Sequence, residues 1–229
     1  MTSHSPNRRR IAAALAPAAA AWAIAARTAP GAAQSLTMGY AASVTTIDPH
    51  CHSLGPNNML GMHIFDRLVE RDSRARPYPA LVGSYRAPSD TAWEFRLRRG
   101  IKWHDGRDVT ADDVVFTFER APSVPNSPGG FGGFLHAVAR VEVIDPHTLR
   151  IHTKQPHPLL PLDLSPVAII ARHAATGAGT EEFNSGRAAV GTGLYRLAAY
   201  RSAPRWSWCA TTGGGAGRSP GSASPCASC

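Results

Sequence analysis

The chain has 229 residues, which is enough for one or two domains with a substantial hydrophobic core. Its formal net charge of +8 would suit a nucleic-acid or anionic-membrane binder, but the excess charge lies at the two ends. Seven of the 24 basic residues and none of the 16 acidic residues fall in residues 1–33 and 201–229, so the rest carries 17 basic against 16 acidic residues. Because no basic patch with interleaved aromatic residues is present, we expect no nucleic-acid partner.

Residues 1–33 have the composition of a signal peptide. An arginine run at residues 8–10 precedes an alanine-rich apolar stretch, and small residues at 31–33 offer a cleavage site before Gln34. The order Asn7-Arg8-Arg9-Arg10-Ile11 is typical of twin-arginine signals. The alternative is a leader that is not cleaved. The sequence therefore predicts an exported protein, with no later stretch that is long and apolar enough to span a membrane.

The next segment predicts a strand, a loop and a helix. Residues 36–41 are expected to form the first strand, and the Asp-Pro pair at residues 48–49 marks a turn. Residues 59–69 place apolar side chains at helical spacing, which predicts a helix.

Residues 93–103 alternate as strands do. Trp93, Phe95 and Leu97 would face one side, and their neighbours the other. Ile101 and Trp103 resume the alternation after a glycine, which predicts a second short strand.

A turn and a helix follow. His104-Asp105-Gly106 has turn chemistry, and Thr110 can cap a helix that begins with two acidic residues, Asp112 and Asp113. Pro122 is expected to end this helix.

The sequence of residues 121–200 predicts more short elements. Residues 121–133, rich in proline and glycine, suggest a loop, and residues 141–152 a β-hairpin. A short helix from residue 156, a buried strand at 167–170 and a strand beginning near 191–195 complete the pattern.

The character of the sequence changes after Tyr200. Residues 201–229 contain six serines, five glycines and three cysteines but no acidic residue and no periodic apolar pattern. Such a segment cannot bury enough surface to offset its ordering entropy, so we expect a disordered tail. We also expect the chain to be a truncated or frameshifted product.

Several of these stretches resemble the family 5 extracytoplasmic solute-binding proteins, the receptors of ABC importers for peptides, nickel complexes and related solutes. The resemblance covers residues 36–200, and its signature lies within residues 93–120. The segments that carry it are Leu97-Arg98-Arg99-Gly100-Ile101, Trp103-His104-Asp105-Gly106, Thr110-Ala111-Asp112-Asp113-Val114 and Gly191-Thr192-Gly193.

The resemblance implies an α/β fold, namely the N-terminal lobe of a two-lobed periplasmic-binding-protein type II-like fold, truncated and formed by residues 34–200. It implies a periplasmic protein without enzymatic activity or cofactor. Its partners would be a peptide or other small solute and an inner-membrane ABC permease. The loop after the first strand would face the solute, with Ser43, Val44 and Thr45 as the candidate binding residues.

Other interpretations stay open at this point. The His50-Cys51-His52 run with His63 could hold a metal, but solvated histidines are the simpler explanation and we expect no metal site. His104-Asp105 could serve a secreted hydrolase, although its turn chemistry argues for a structural role. A non-functional fragment is the remaining alternative.

Overall fold

The computed structural model describes residues 42–200 and the backbone of residues 207–210. The helices are α1 (Gly55–Ile64), α2 (Ala111–Arg120), α3 (Leu160–Leu164), α4 (Arg172–Ala175) and α5 (Thr180–Asn184), with a 3-10 turn at Gly132–Leu135. The strands are β1 (Val69–Arg71), β2 (Pro77–Pro79), β3 (Val82–Ser89), β4 (Ala92–Leu97), β5 (Val138–Asp145), β6 (Thr148–Thr153), β7 (Tyr195–Ala199) and β8 (Ser207–Ala210).

The largest sheet has four antiparallel strands in the order β3-β4-β6-β5. The alternation of β4 and β6 decides which face is buried: Phe95, Leu149 and Ile151 are fully buried, whereas the intervening positions carry Arg96 and Arg150. The outer face of this sheet is therefore charged. Two further antiparallel pairs, β1-β2 and β7-β8, complete the sheet structure of the described residues.

Helix α2 packs on the inner face of the sheet. Val114 and Phe118 join Phe95 and Ile151 in the first hydrophobic core, which also receives helix α3. The spacing of four residues places both side chains on one helix face.

A second hydrophobic core lies beneath the loop that precedes α1. It combines Val44 and Ile47 with Ile64 of α1 and Phe183 of α5. Phe116 of α2 packs against this second core, so α2 contributes to both. The predicted binding loop is thus supported from below by buried side chains.

Several predicted elements are confirmed. Three elements occur where the sequence predicts them: the strand around Phe95, the hairpin formed by β5 and β6, and helix α2. Helix α2 ends at Arg120, two residues before Pro122. Thr110 is its N-cap, as predicted, and the Thr110 N–H and hydroxyl both donate to Asp113 Oδ2, at 2.9 and 3.2 Å.

Other predicted boundaries are wrong for identifiable reasons. The helix predicted for residues 59–69 begins earlier, at Gly55, because Pro56 suits the first turn of a helix. It ends at Ile64, since Phe65 has extended dihedral angles, and Val69 belongs to β1.

Two predicted strands are absent as regular elements. The stretch containing Ile101 and Trp103 forms only one isolated bridge, between Lys102 and Asp108. Residues 167–170 are buried and extended, but Ala168 makes only an isolated bridge with Arg67.

The chain ends lie mostly outside the described residues. These undescribed parts include the predicted signal peptide, the predicted strand at 36–41 and residues 211–229. Ser207–Ala210, within the predicted disordered tail, forms strand β8 and pairs with β7. None of the described helices has both the length and the apolar character that a membrane span requires.

Candidate functional site

The three predicted binding residues lie together in the loop before α1. Ser43 and Thr45 are exposed, and Val44 is buried in the second core. The Thr45 N–H donates to Asn57 Oδ1 at 2.9 Å, and Asn57 Nδ2 donates to Thr45 Oγ1 at 2.9 Å. The loop therefore presents two hydroxyl-bearing side chains at the surface, one of them fixed to α1 by a reciprocal pair of hydrogen bonds.

Two other parts of the chain hold the same loop. The Tyr200 hydroxyl donates to the Val44 carbonyl oxygen at 3.1 Å. On the inner side, Asn184 Oδ1 accepts from the Thr46 hydroxyl at 3.0 Å and from the Ile47 N–H at 2.9 Å. These contacts span more than 130 residues of sequence, so the loop conformation depends on tertiary structure.

A buried ion pair connects this loop to α2. Arg120 donates from both terminal nitrogens to Asp48, at 3.0 Å to Oδ1 and 2.7 Å to Oδ2. The Asp48 carboxylate also accepts from the Thr180 hydroxyl at 3.0 Å and from the His50 N–H at 3.0 Å. The guanidinium group lies 4.5 Å from the centre of the Phe183 ring, in the range of a cation–π contact.

Both side chains of this pair stay ionised although they are buried. The side chain of Asp48 is 0% exposed and that of Arg120 is 11% exposed. Burial raises the pKa of Asp48, but the hydrogen bonds and positive charge of Arg120 outweigh burial, and the pKa lies below its usual value. The pair therefore acts as a fixed anchor between the loop and α2.

His50 completes the network as a neutral imidazole. Its Nε2 donates to the Ala168 carbonyl oxygen at 2.8 Å, and its Nδ1 accepts from Arg120 at 3.1 Å. Complete burial, together with the nearby Arg120 charge, lowers the pKa of His50 to about 4. Both ring nitrogens are occupied, and His50 is therefore not available as a metal ligand in this conformation.

The buried histidine predicts a loss of stability in mild acid. In the unfolded chain His50 should bind a proton near pH 6.5, whereas in the folded chain it stays neutral down to about pH 4. The unfolded state therefore binds more protons in this window, and the free energy of unfolding should fall by roughly 3 kcal/mol as the pH decreases through it. Asp48, whose folded pKa is lowered, adds a further loss at more acidic pH.

Denaturant unfolding at several pH values between 7 and 4 measures this effect. The matched variant is His50→Gln, which can donate to Ala168 and accept from Arg120 but does not titrate in this range. We expect a flatter dependence of stability on pH for the variant. Equal slopes in the two proteins would contradict the assignment to His50.

The His104-Asp105-Gly106 turn is structural, as the sequence predicts. His104 Nε2 donates to the Gly193 carbonyl oxygen at 3.0 Å, and Nδ1 accepts from the Gly191 N–H at 3.2 Å. Burial lowers the pKa of His104. Because peptide groups occupy both ring nitrogens, the hydrolase interpretation loses its proposed acid–base group.

The Gly191-Thr192-Gly193 segment approaches the end of α1 very closely. The Gly193 N–H donates to the Ile64 carbonyl oxygen at 2.9 Å, and Thr192 Oγ1 donates to Asp66 Oδ2 at 3.0 Å. A Cβ atom at either glycine would overlap backbone atoms of residues 63–64. This close approach explains why glycine stands at both positions.

The histidine-rich stretch does not form a metal site in the part of the chain that the structure describes. There, no group of three or more His, Cys, Asp and Glu side chains is arranged to hold an ion. His63 instead packs edge-on against Tyr195, with ring centres 5.5 Å apart.

Comparison with known proteins gives the family. Residues 76–207 match the middle region of the bacterial extracellular solute-binding proteins, family 5. This chain belongs to that family. The resemblance inferred from the sequence is therefore confirmed, and the match extends a few residues past Tyr200.

Two curated family 5 proteins illustrate the similarity. The periplasmic oligopeptide-binding protein OppA of Escherichia coli K12 is 28% identical over 55% of this chain and 26% of its own length. The glutathione-binding protein GsiB of the same strain is 28% identical over 72% of this chain and 32% of its own length. The chain thus spans about a quarter to a third of the curated relatives it matches.

The fold agrees with that of a solved family 5 structure. OppA from Burkholderia pseudomallei superposes with a TM-score of 0.66 at 22% identity, over 74% of this chain and 37% of that one. The predicted α/β fold of the periplasmic-binding-protein type is confirmed as a partial copy of the full fold.

The residues that fix the loop were not predicted as a group. Asp48 was predicted only as part of a turn, and Arg120 only closed the stretch that carries the family signature. The signal in the sequence was an acidic residue directly after the apolar Ile47. The structure buries both residues, and a buried carboxylate needs a charged partner. Nothing local in the sequence identifies Arg120 or Asn184 as the partners.

Proposed function

We propose that this chain acts as the solute-binding component of an ABC importer for peptides or related small solutes. The observation that carries the proposal is the family match over residues 76–207. The names of two relatives support the solute class, because one binds oligopeptides and the other glutathione. The partners would be the solute and an inner-membrane permease, and the compartment would be the periplasm.

We place part of the solute contact on Ser43, Val44 and Thr45. Ser43 and Thr45 are exposed on a loop that Asn57, Asn184 and Asp48 hold in one conformation. A loop fixed before binding loses little conformational entropy when the solute arrives. The exposed hydroxyl groups and loop peptide groups can then serve as donors and acceptors for a peptide-like solute.

Titration calorimetry on the full chain tests the function, with glutathione and peptides of two to nine residues as ligands. Saturable binding of one of these ligands supports the proposal. No binding by a chain that melts cooperatively would favour the non-functional alternative. Edman sequencing of the exported protein tests the location, with Gln34 as the expected first residue.

Asn57→Ala should weaken solute binding about tenfold, since the variant loses both hydrogen bonds that hold Thr45. The matched control is Asn58→Ala. Asn58 is the neighbouring residue, and its amide contacts only Ser53, at a long 3.4 Å. Calorimetry should show near-normal affinity for the control. Equal affinity in both variants would indicate that the loop conformation does not matter for binding.

A further inference from the structure

The outer face of the four-stranded sheet carries a charged row that crosses all its strands. Arg86 of β3 lies opposite Glu94 of β4, Glu94 lies opposite Arg150 of β6, and Arg150 lies opposite Glu142 of β5. Cross-strand neighbours of this kind interact directly. The row places several guanidinium groups on one face of the sheet.

A single buried carboxylate is shared by three arginines in this row. Glu94 accepts from Arg86 at 3.0 Å, from Arg96 at 3.1 Å and from Arg150 at 3.3 Å. Glu142 lies 3.9 Å from Arg150 and adds a second negative charge, so the three arginines still outnumber the carboxylates that they contact. The hydrogen bonds from Arg86, Arg96 and Arg150 hold the pKa of Glu94 below its usual value despite some desolvation. The cluster therefore keeps an excess of positive charge.

Beside this cluster lies a groove of about 490 Å³. It runs between the end of β4 and the β5–β6 turn, and its polar walls are formed by Glu94, Arg96, Arg99, Asp145, His147, Thr148 and Arg150. Arg86, which contacts the same carboxylate, does not line this groove.

The acidic groups in the groove already have hydrogen-bond partners. Glu94 is shared among the arginines, and Asp145 accepts from the His147 N–H at 2.7 Å within the turn. One of the basic groups has unused donors. Among the described residues the side chain of Arg99 makes no ion pair and no hydrogen bond, so its guanidinium donors are available to a ligand.

We propose that this groove binds a phosphate-like oxyanion, either free or as part of a phosphate monoester. Three arginines line it, and the planar donors of a guanidinium group match the oxygens of a tetrahedral anion. The groove is lined by three arginines and two carboxylates, so an oxyanion would offset its excess positive charge and give the Arg99 guanidinium an acceptor. This site lies on the sheet face remote from the buried core and is independent of the solute site proposed above.

The test is a comparison of Arg96→Gln with Arg86→Gln in the full chain. The two arginines are 61% and 63% exposed and both contact Glu94 at about the same distance, but only Arg96 lines the groove. Calorimetric titration with inorganic phosphate, at low ionic strength in a phosphate-free buffer, should show saturable binding by the unaltered chain. We expect Arg96→Gln to weaken it at least about tenfold, and Arg86→Gln less than about threefold.

Arg99→Gln separates binding from folding. Because Arg99 has no partner among the described residues, its loss should leave the melting temperature unchanged while weakening phosphate binding by a similar factor. Equal losses in Arg96→Gln and Arg86→Gln would show general charge attraction and overturn the proposal.

A vesicle experiment distinguishes the two sources of the anion. Flotation with phosphatidylcholine vesicles, with and without phosphatidic acid, measures binding to a lipid phosphate monoester. Binding to either free phosphate or phosphatidic acid, if sensitive to Arg96→Gln and Arg99→Gln, supports the site and names its source. If neither probe binds, the proposal is wrong.

Discussion

Replacing Gly191 with alanine should lower the free energy of unfolding by about 3 kcal/mol or more. The added Cβ would overlap the Ile64 carbonyl group, which is backbone at the end of α1 and cannot rotate away. Relief requires the 191–193 segment to move. That movement would break the hydrogen bonds between this segment and His104, at 2.9 to 3.2 Å.

Gly61→Ala is the matched control for this prediction. Gly61 is also buried, but it lies inside α1, and its added Cβ would meet no atom within 4 Å. Alanine is the better helix former, so this variant should be more stable by about 0.5–1 kcal/mol. Urea denaturation of both variants measures the two effects. A loss below about 1 kcal/mol for Gly191→Ala would show that the close approach can relax.

The second large effect is expected for Asp48→Asn, with a loss of about 3–5 kcal/mol in the free energy of unfolding. The substitution leaves the Arg120 guanidinium buried and without its bidentate partner. It also removes the charge that accepts from Thr180 and from the His50 N–H. Removing one member of a buried ion pair is costly because the remaining charge stays desolvated.

The control for Asp48→Asn is Asp108→Asn. Asp108 also forms an ion pair, with Lys102 at 2.6 Å, but it is 58% exposed. Surface pairs contribute little, and the loss should stay below about 1 kcal/mol. Similar losses in the two variants would mean that burial of the Asp48–Arg120 pair is not what makes it important. If Asp48 also fixes the proposed solute loop, Asp48→Asn should weaken solute binding under conditions where the variant remains folded.

The elements that a short local pattern determines could be predicted from the sequence. The alternation around Phe95 and the turn at residues 145–148 define β4, β5 and β6, because one face of each strand must be buried. The acidic first turn and Pro122 define helix α2. The family resemblance depended on these same local patterns.

The elements that long-range pairing determines could not be predicted from the sequence. Strand β3 has few apolar residues and was not predicted, but it pairs with β4 as an edge strand. Residues 167–170 are apolar enough for a strand, yet their one pairing among the described residues is an isolated bridge with Arg67. The order of the strands in the sheet likewise cannot be predicted from any single segment.

The candidate site shows the same division. The loop position of Ser43, Val44 and Thr45 followed from the resemblance, and their role in binding stays a prediction. The contacts that fix the loop, from Asn57, Asn184 and Arg120, connect residues 12 to 138 positions apart. No spacing rule identifies such partners before the fold is known.

Helix α2 has a consequence for the cooperativity of the molecule. Val114 and Phe118 belong to the first core, Phe116 packs on the second, and the Thr117 hydroxyl accepts from the Ile170 N–H at 3.1 Å. Neither core can open without exposing one face of this helix. The backbone amides of α2 should therefore exchange with solvent deuterium only when the whole described body unfolds, and they would report its global stability residue by residue.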